Sequence, residues 1–209
     1  MGQTLEHFCV YPLCMVIQSK KEDIIRMIDM YEKDPILFDE ETYGITLPHL
    51  DKLMKKCSID SSDADVLRNF YVLIDKRGFQ YASLKDVLVS FALLIASTKV
   101  ECLEFAFYIH DRKQTEFVDK LVLSRILNML NDTVYYCGDK KFPLSQVDDF
   151  VDSLYTSTGR VDGPIYYQDF YYAILQHPLM ELICSRQFQG TWQDKVTDEK
   201  DIDRSHLYK

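Results

Sequence analysis

Residues 100–131, VECLEFAFYIHDRKQTEFVDKLVLSRILNMLN, constrain the fold more than any other stretch. Leu103, Phe105, Ala106, Phe107 and Ile109 put apolar side chains on more than one face of a helix. A polar run of seven residues, His110 to Glu116, interrupts it, and the β-prone pair Phe117-Val118 follows. Leu123, Ile126, Leu127 and Leu130 then recur at three- and four-residue spacing, which is one helical face. The plan is a helix, a turn of about twelve residues with one apolar position near its end, and a second helix.

The same plan recurs along the chain, as a repeat architecture requires. With Asp111 as loop place 1, Val118 takes place 8 and Val122 place 12. In residues 65–97, Asp75 at place 1 puts Ala82 at 8 and Asp86 at 12. In residues 147–175, Ile165 at place 8 puts Thr158 at 1, Asp162 at 5, Gly163 at 6 and Asp169 at 12. The first copy is the most worn: Ile45 at place 8 puts Phe38 at 1 and His49 at 12, behind a predicted helix from Glu22 to Lys33. The loops therefore begin at 38, 75, 111 and 158, spaced by 37, 36 and 47 residues.

FAFYIHD, Phe105 to Asp111, resembles the entering helix and first loop residue of third EF-hands in the calcineurin B and neuronal calcium sensor proteins. FVDKLVLSRILNML resembles their strand and exiting helix, and FYYAILQHPLMELI is similar to the last EF-hand and C-terminal helix of calcineurin B-like and integrin-binding members. Calaxin-type axonemal proteins are close behind. The resemblance spans about residues 20–176 and implies an all-α fold of two EF-hand pairs, two lobes, each joined by a short two-stranded ribbon. Ile45 is expected opposite Ala82, and Val118 opposite Ile165. The expected divisions are 1–19, an N-terminal pair at 20–97, a C-terminal pair at 98–182, and a helix end and tail at 183–209. A break is expected at 131–142, NDTVYYCGDKKF, because it carries turn formers and charge. His177-Pro178 should end the last EF-hand helix, with Pro178 in the first turn of one more helix over 178–188. The charged tail from Asp194 to Lys209 has few large apolar residues and reads as disordered or ordered by a partner.

Calcium ligation needs oxygens at places 1, 3, 5 and 9 and a bidentate carboxylate at 12. The first loop offers Phe38, Glu40, Thr42, Thr46 and His49. The second keeps Asp75 and Asp86 but carries Arg77 and Phe79 at places 3 and 5, and the third has Val122 at place 12. The fourth, 158–169, is at best a weak calcium or magnesium site through Asp162 and Asp169, with Gly163 supplying the sharp turn. Place 3 of the last three loops is Arg77, Lys113 and Arg160, where the resemblance implies Asp or Asn. These are candidate internal cations, placed to meet the surviving carboxylates in place of an ion. No cofactor is expected.

A net charge of −9 argues against nucleic acid as a partner, because phosphate binding needs a basic stripe. No apolar run reaches the roughly 18 residues that span a bilayer, and residues 8–17 lack the flanks of a secretory signal. Met1-Gly2 suggests myristoylation, but Glu6 stands where the pattern needs Ser or Thr; Cys9 and Cys14 are candidate palmitoylation sites. A membrane is thus a partner only if the chain is acylated. The six cysteines form no metal-ligand or CxxC spacing and read as reduced thiols. No phosphate loop, G-x-S-x-G or H-E-x-x-H is present, and an enzyme is not expected.

The expected function is that of a non-catalytic, largely calcium-insensitive EF-hand subunit, cytoplasmic, binding an amphipathic helix of a larger protein. Phe70, Leu73, Leu88, Phe91, Leu94, Phe105, Leu127, Leu130, Phe150, Leu154, Phe170 and Ile174 are expected to line the partner groove. The chain's own terminal segments, 8–17 or 179–188, are alternative occupants. Two other readings are a calcium sensor using the fourth loop and an architectural subunit of a cytoskeletal or ciliary assembly.

Overall fold

The computed structural model of the chain describes residues 19–34, 44–75, 78, 80–95, 98–136, 141–159 and 163–184. They are mostly helical, with two small antiparallel ribbons. The order is α1 (Lys21–Glu32), β1 (Gly44–Ile45), α2 (Leu47–Lys56), α3 (Ser61–Ile74), β2 (Ala82–Ser83) and α4 (Leu84–Ile95). Then follow α5 (Lys99–His110), β3 (Phe117–Val118), α6 (Lys120–Tyr136), α7 (Leu144–Ser157), β4 (Ile165–Tyr166), α8 (Gln168–Gln176) and α9 (Pro178–Cys184).

Local chemistry sets the helix ends. Asp60 accepts the Ser62 N–H at 2.8 Å and caps α3, and Thr98 accepts the Glu101 N–H at 3.1 Å and caps α5. Pro48 lies in the first turn of α2, where no intrahelical donor is needed. His177, before Pro178, is extended (φ −69°, ψ 141°) and separates α8 from α9.

The ribbons pair Ile45 with Ala82 and Val118 with Ile165, the register expected from place 8 of each loop. Ile45, Ala82, Val118 and Ile165 are all buried, so each ribbon closes the end of a helix cluster. A tyrosine of the neighbouring helix fixes each one. Tyr71 of α3 donates to the Ile45 carbonyl at 3.1 Å, and Tyr155 of α7 donates to the Val118 carbonyl at 2.6 Å. Burial raises the pKa of both phenols, so each remains a hydrogen-bond donor at neutral pH.

One apolar core runs through both halves. α5, buried at Cys102, Leu103, Phe105, Ala106, Phe107 and Ile109, packs on α4 and α6 and also meets α9. The Tyr136 hydroxyl donates to the Leu73 carbonyl at 3.0 Å and so joins α6 to α3. The break expected at 131–142 does not begin at 131, because α6 continues unbroken to Tyr136. Val134 and Tyr136 are buried, and the polarity of Asn131 is met by reciprocal 2.9 Å bonds with the backbone of Phe142. Lys141 also pairs with Asp132. Turn-forming side chains here serve tertiary hydrogen bonds, not a turn.

Candidate functional site

The second and third loops share a backbone. Asp75 (φ −75°, ψ 57°) and Asp111 (φ −108°, ψ 64°) end their helices alike. Left-handed residues follow at places 4 and 6: Gly78 (φ 63°) and Gln80 (φ 57°), then Gln114 (φ 52°) and Glu116 (φ 62°). The place-1 carboxylate holds both turns, because Asp75 Oδ2 accepts the Gln80 N–H at 2.7 Å. Asp111 accepts the Thr115 N–H and hydroxyl at 2.9 and 3.0 Å and the Glu116 N–H at 2.6 Å. These bonds offset the cost of left-handed backbone at Gln80, Gln114 and Glu116.

The carboxylate at place 12 of the second loop is already engaged. Arg125 of α6 donates from Nε to Asp86 Oδ1 at 2.6 Å and from Nη2 to Oδ2 at 2.8 Å. This planar two-pronged pair crosses from one half of the chain to the other. Inspection of the loops by themselves missed Arg125, which lies on a helix in the other half of the sequence. Only its opposite charge signalled a partnership.

The fourth loop corrects a sequence expectation. Gly163 does not adopt the left-handed conformation expected at place 6; Gly159 (φ 69°) does, directly after α7. The reason is that Thr158 keeps helical angles (φ −82°, ψ −5°), so α7 ends in a glycine stop. Asp169 is exposed in the first turn of α8, while Asp162 lies outside the described residues.

The candidate internal cations divide similarly. Arg77 and Arg160 lie outside the described residues, and Lys113 is exposed with no ion pair to a described carboxylate. Arg112 beside it turns away from the loop to Asp29 and Glu32 of α1 and lies over the Tyr108 ring at 4.8 Å. Gly2, Cys9 and Cys14 also lie outside the described residues, as do 8–17 and the tail from 185.

Divalent calcium takes roughly six to eight oxygens. Among the described residues no group of three or more His, Cys, Asp and Glu converges on a metal position. Asp86 is bound to Arg125, Val122 supplies no oxygen, and the Asp111 oxygens accept backbone N–H groups.

Of the twelve expected groove residues, nine are buried: Phe70, Leu88, Phe91, Phe105, Leu127, Leu130, Leu154, Phe170 and Ile174. Leu73, Leu94 and Phe150 are half-buried against the same core. They make up the packed interior and not an open groove, because α5 covers α4 and α9 covers α6 and α8. Leu179 and Met180 of α9 are fully buried there, so the chain's own C-terminal segment occupies this position.

Cys102 and His110 stand eight residues apart on α5, about 12 Å along its axis, too far for a thiol–imidazole pair. Cys57 and Cys102 are buried. Burial, with Lys85 and Arg125 nearby, pushes the pKa of His110 down to about 3. Its Nε2 is buried with no hydrogen-bond partner among the described residues.

A cavity of about 360 Å³ lies at the third loop, lined by residues of α5 and β3 and by Tyr167. No helix among the described residues is long and apolar enough to cross a membrane. No family model, curated protein or solved structure matches the chain.

Proposed function

We propose that this chain is a non-catalytic, calcium-insensitive EF-hand-type subunit that binds an amphipathic helix of a larger protein, in a cytoplasmic, cytoskeletal or ciliary assembly. The observation that carries the reading is the ion-independent hydrogen bonding of the second and third loops. Their left-handed places 4 and 6 and their ribbon register have the form of EF-hand loops. Loop N–H groups and Arg125 meanwhile engage the carboxylates at Asp75, Asp86 and Asp111. A loop held this way keeps its shape without an ion and leaves the helix pairs free to serve as a docking scaffold. In the free chain α9 covers the second pair, and a partner helix docks there by displacing it or beside it. The sensor alternative draws no support from the fourth loop, where Gly163 lies outside the left-handed region.

The test is isolation of the native complex in parallel with millimolar calcium and with chelator, together with calcium calorimetry of the free chain. Retention of the same partner in both, with no heat of binding, is expected. A ligand binding only the native state at a thousandfold excess over its Kd stabilises it by about 4 kcal/mol. A clear calcium-dependent rise in Tm, lost in Asp169→Ala, overturns the proposal.

A further inference from the structure

The third-loop cavity has an unusual combination of walls. Glu104, Asp111, Glu116 and Asp119 line it together with Tyr108 and Tyr167, while Val118 and Val122 supply an apolar side. None of the four carboxylates is ion-paired to a described residue, although basic residues flank them in sequence. Arg112 is held by Asp29 and Glu32, and Lys120 by Asp152 at 2.8 Å. The polar contacts these acids do make are neutral. Glu116 accepts the Tyr166 hydroxyl at 2.6 Å, Glu104 accepts the Tyr171 hydroxyl at 3.4 Å, and Asp111 accepts the loop N–H groups.

Exposed apolar side chains lie on β3 and α6, which carry part of the cavity wall, and on α8. Phe117 is 47% exposed with its ring 5.8 Å from that of Tyr166, Leu121 is 84% exposed, and Tyr172 is 74% exposed. Residues 163–180 contain Asp169 and no Lys or Arg.

We propose that this cavity receives an arginine side chain from a basic amphipathic helix of the partner, whose apolar face rests on Phe117. This rests on the reading of the chain as a partner-binding subunit and names the chemistry of that partner. Charge complementarity calls for a cation. A metal ion needs oxygens on nearly every side, whereas the Val122 side of the cavity offers none. An ammonium is a strongly hydrated point charge that gains little from aromatic walls. A guanidinium is planar and weakly hydrated, stacks on tyrosine, and forks to carboxylates, which matches the Tyr167 face and the acids around it. A cavity of this size is at the small end of ligand sites, about 300–1,000 Å³, and has room for a guanidinium side chain.

The experiment is a titration of the ¹⁵N-labelled full chain with an acetylated, amidated tri-arginine peptide, with tri-lysine, tri-citrulline and calcium chloride as comparators. Saturable shifts confined to the amides of 104–122 and 166–172 are expected with tri-arginine. The double variant Glu104→Gln/Asp119→Asn, which leaves the loop-holding Asp111 and Glu116 intact, should weaken them at least about tenfold. If the double variant unfolds, Glu104→Gln and Asp119→Asn are read singly. Absent or scattered shifts overturn the proposal, as do equal shifts with tri-lysine or the same shifts with calcium. Native partner retained equally by wild type and double variant overturns the cavity as the docking point while leaving the subunit reading intact. No partner with wild type overturns the subunit reading itself.

Discussion

The second and third loops have nearly the same backbone and opposite chemical outcomes. Each starts at an aspartate that accepts loop N–H groups, and each turns through left-handed residues at places 4 and 6. In the second, Arg125 reaches across from α6 and neutralises Asp86, so the loop is bound into the junction between the halves. In the third, Val122 stands at that place, none of the loop's carboxylates pairs with a cation among the described residues, and they line a cavity. The shared loop backbone thus carries different side-chain partners, set by which helix lies alongside.

The ribbons give the comparison its largest handle. The first packs Ile45 against the small Ala82, and the second packs Val118 against Ile165. Ile165→Ala makes the second ribbon resemble the first and removes a side chain that is 1% exposed. A loss of about 2–5 kcal/mol in chemical denaturation is expected, with the midpoint lowered and m unchanged. A changed m value instead would mean that the two halves no longer unfold together.

A smaller effect is expected where the loops differ. Arg125→Gln leaves Asp86, whose side chain is 16% exposed, without its cation. The cost should be about 1–3 kcal/mol, towards the lower end because the guanidinium itself is half exposed. A double-mutant cycle with Asp86→Asn measures the pair directly, and a coupling energy near zero would remove the cross-half clamp from the account.

The smallest effect is that of pH at the same junction. His110 ends α5 with a buried Nε2 and a pKa pushed from 6.5 to about 3. Between those values the unfolded chain binds a proton that the native chain does not, so stability falls as the solution is acidified below 6.5. One such group contributes at most about 1.4 kcal/mol per pH unit. His110→Gln, neutral throughout, should lose less Tm than wild type between pH 7 and 5, while the carboxylates act equally on both. Parallel Tm curves would show that His110 is not buried as a neutral base.

Much of this arrangement was legible in the residues. Apolar spacing located the predicted helix from Glu22 to Lys33 within a residue, since it runs from Lys21 to Glu32. The branched or small residue at place 8 specified both ribbon registers, because a one-residue slip would turn Ile45 and Val118 out to solvent. The run at 131–142 misled, since Asn131 and Asp132 have turn-forming side chains whose helical placement depends on Phe142 and Lys141. Gly163 misled in the same way, because the left-handed step came four residues earlier, where α7 stops.

Sequence by itself determined the units: helix, loop, short strand and helix, repeated, with apolar faces that need one another. Tertiary structure alone decided how these units close. Arg125 selected Asp86, Arg112 turned to α1, α9 covered the second pair, and the third-loop acids were left without a cation among the described residues. The physical reason is range. Periodicity and backbone preference act between residues a few places apart, and a sequence displays those distances directly. Charge pairing and packing act between side chains that the fold brings within a few ångströms, and Arg125 and Asp86 are 39 residues apart along the chain.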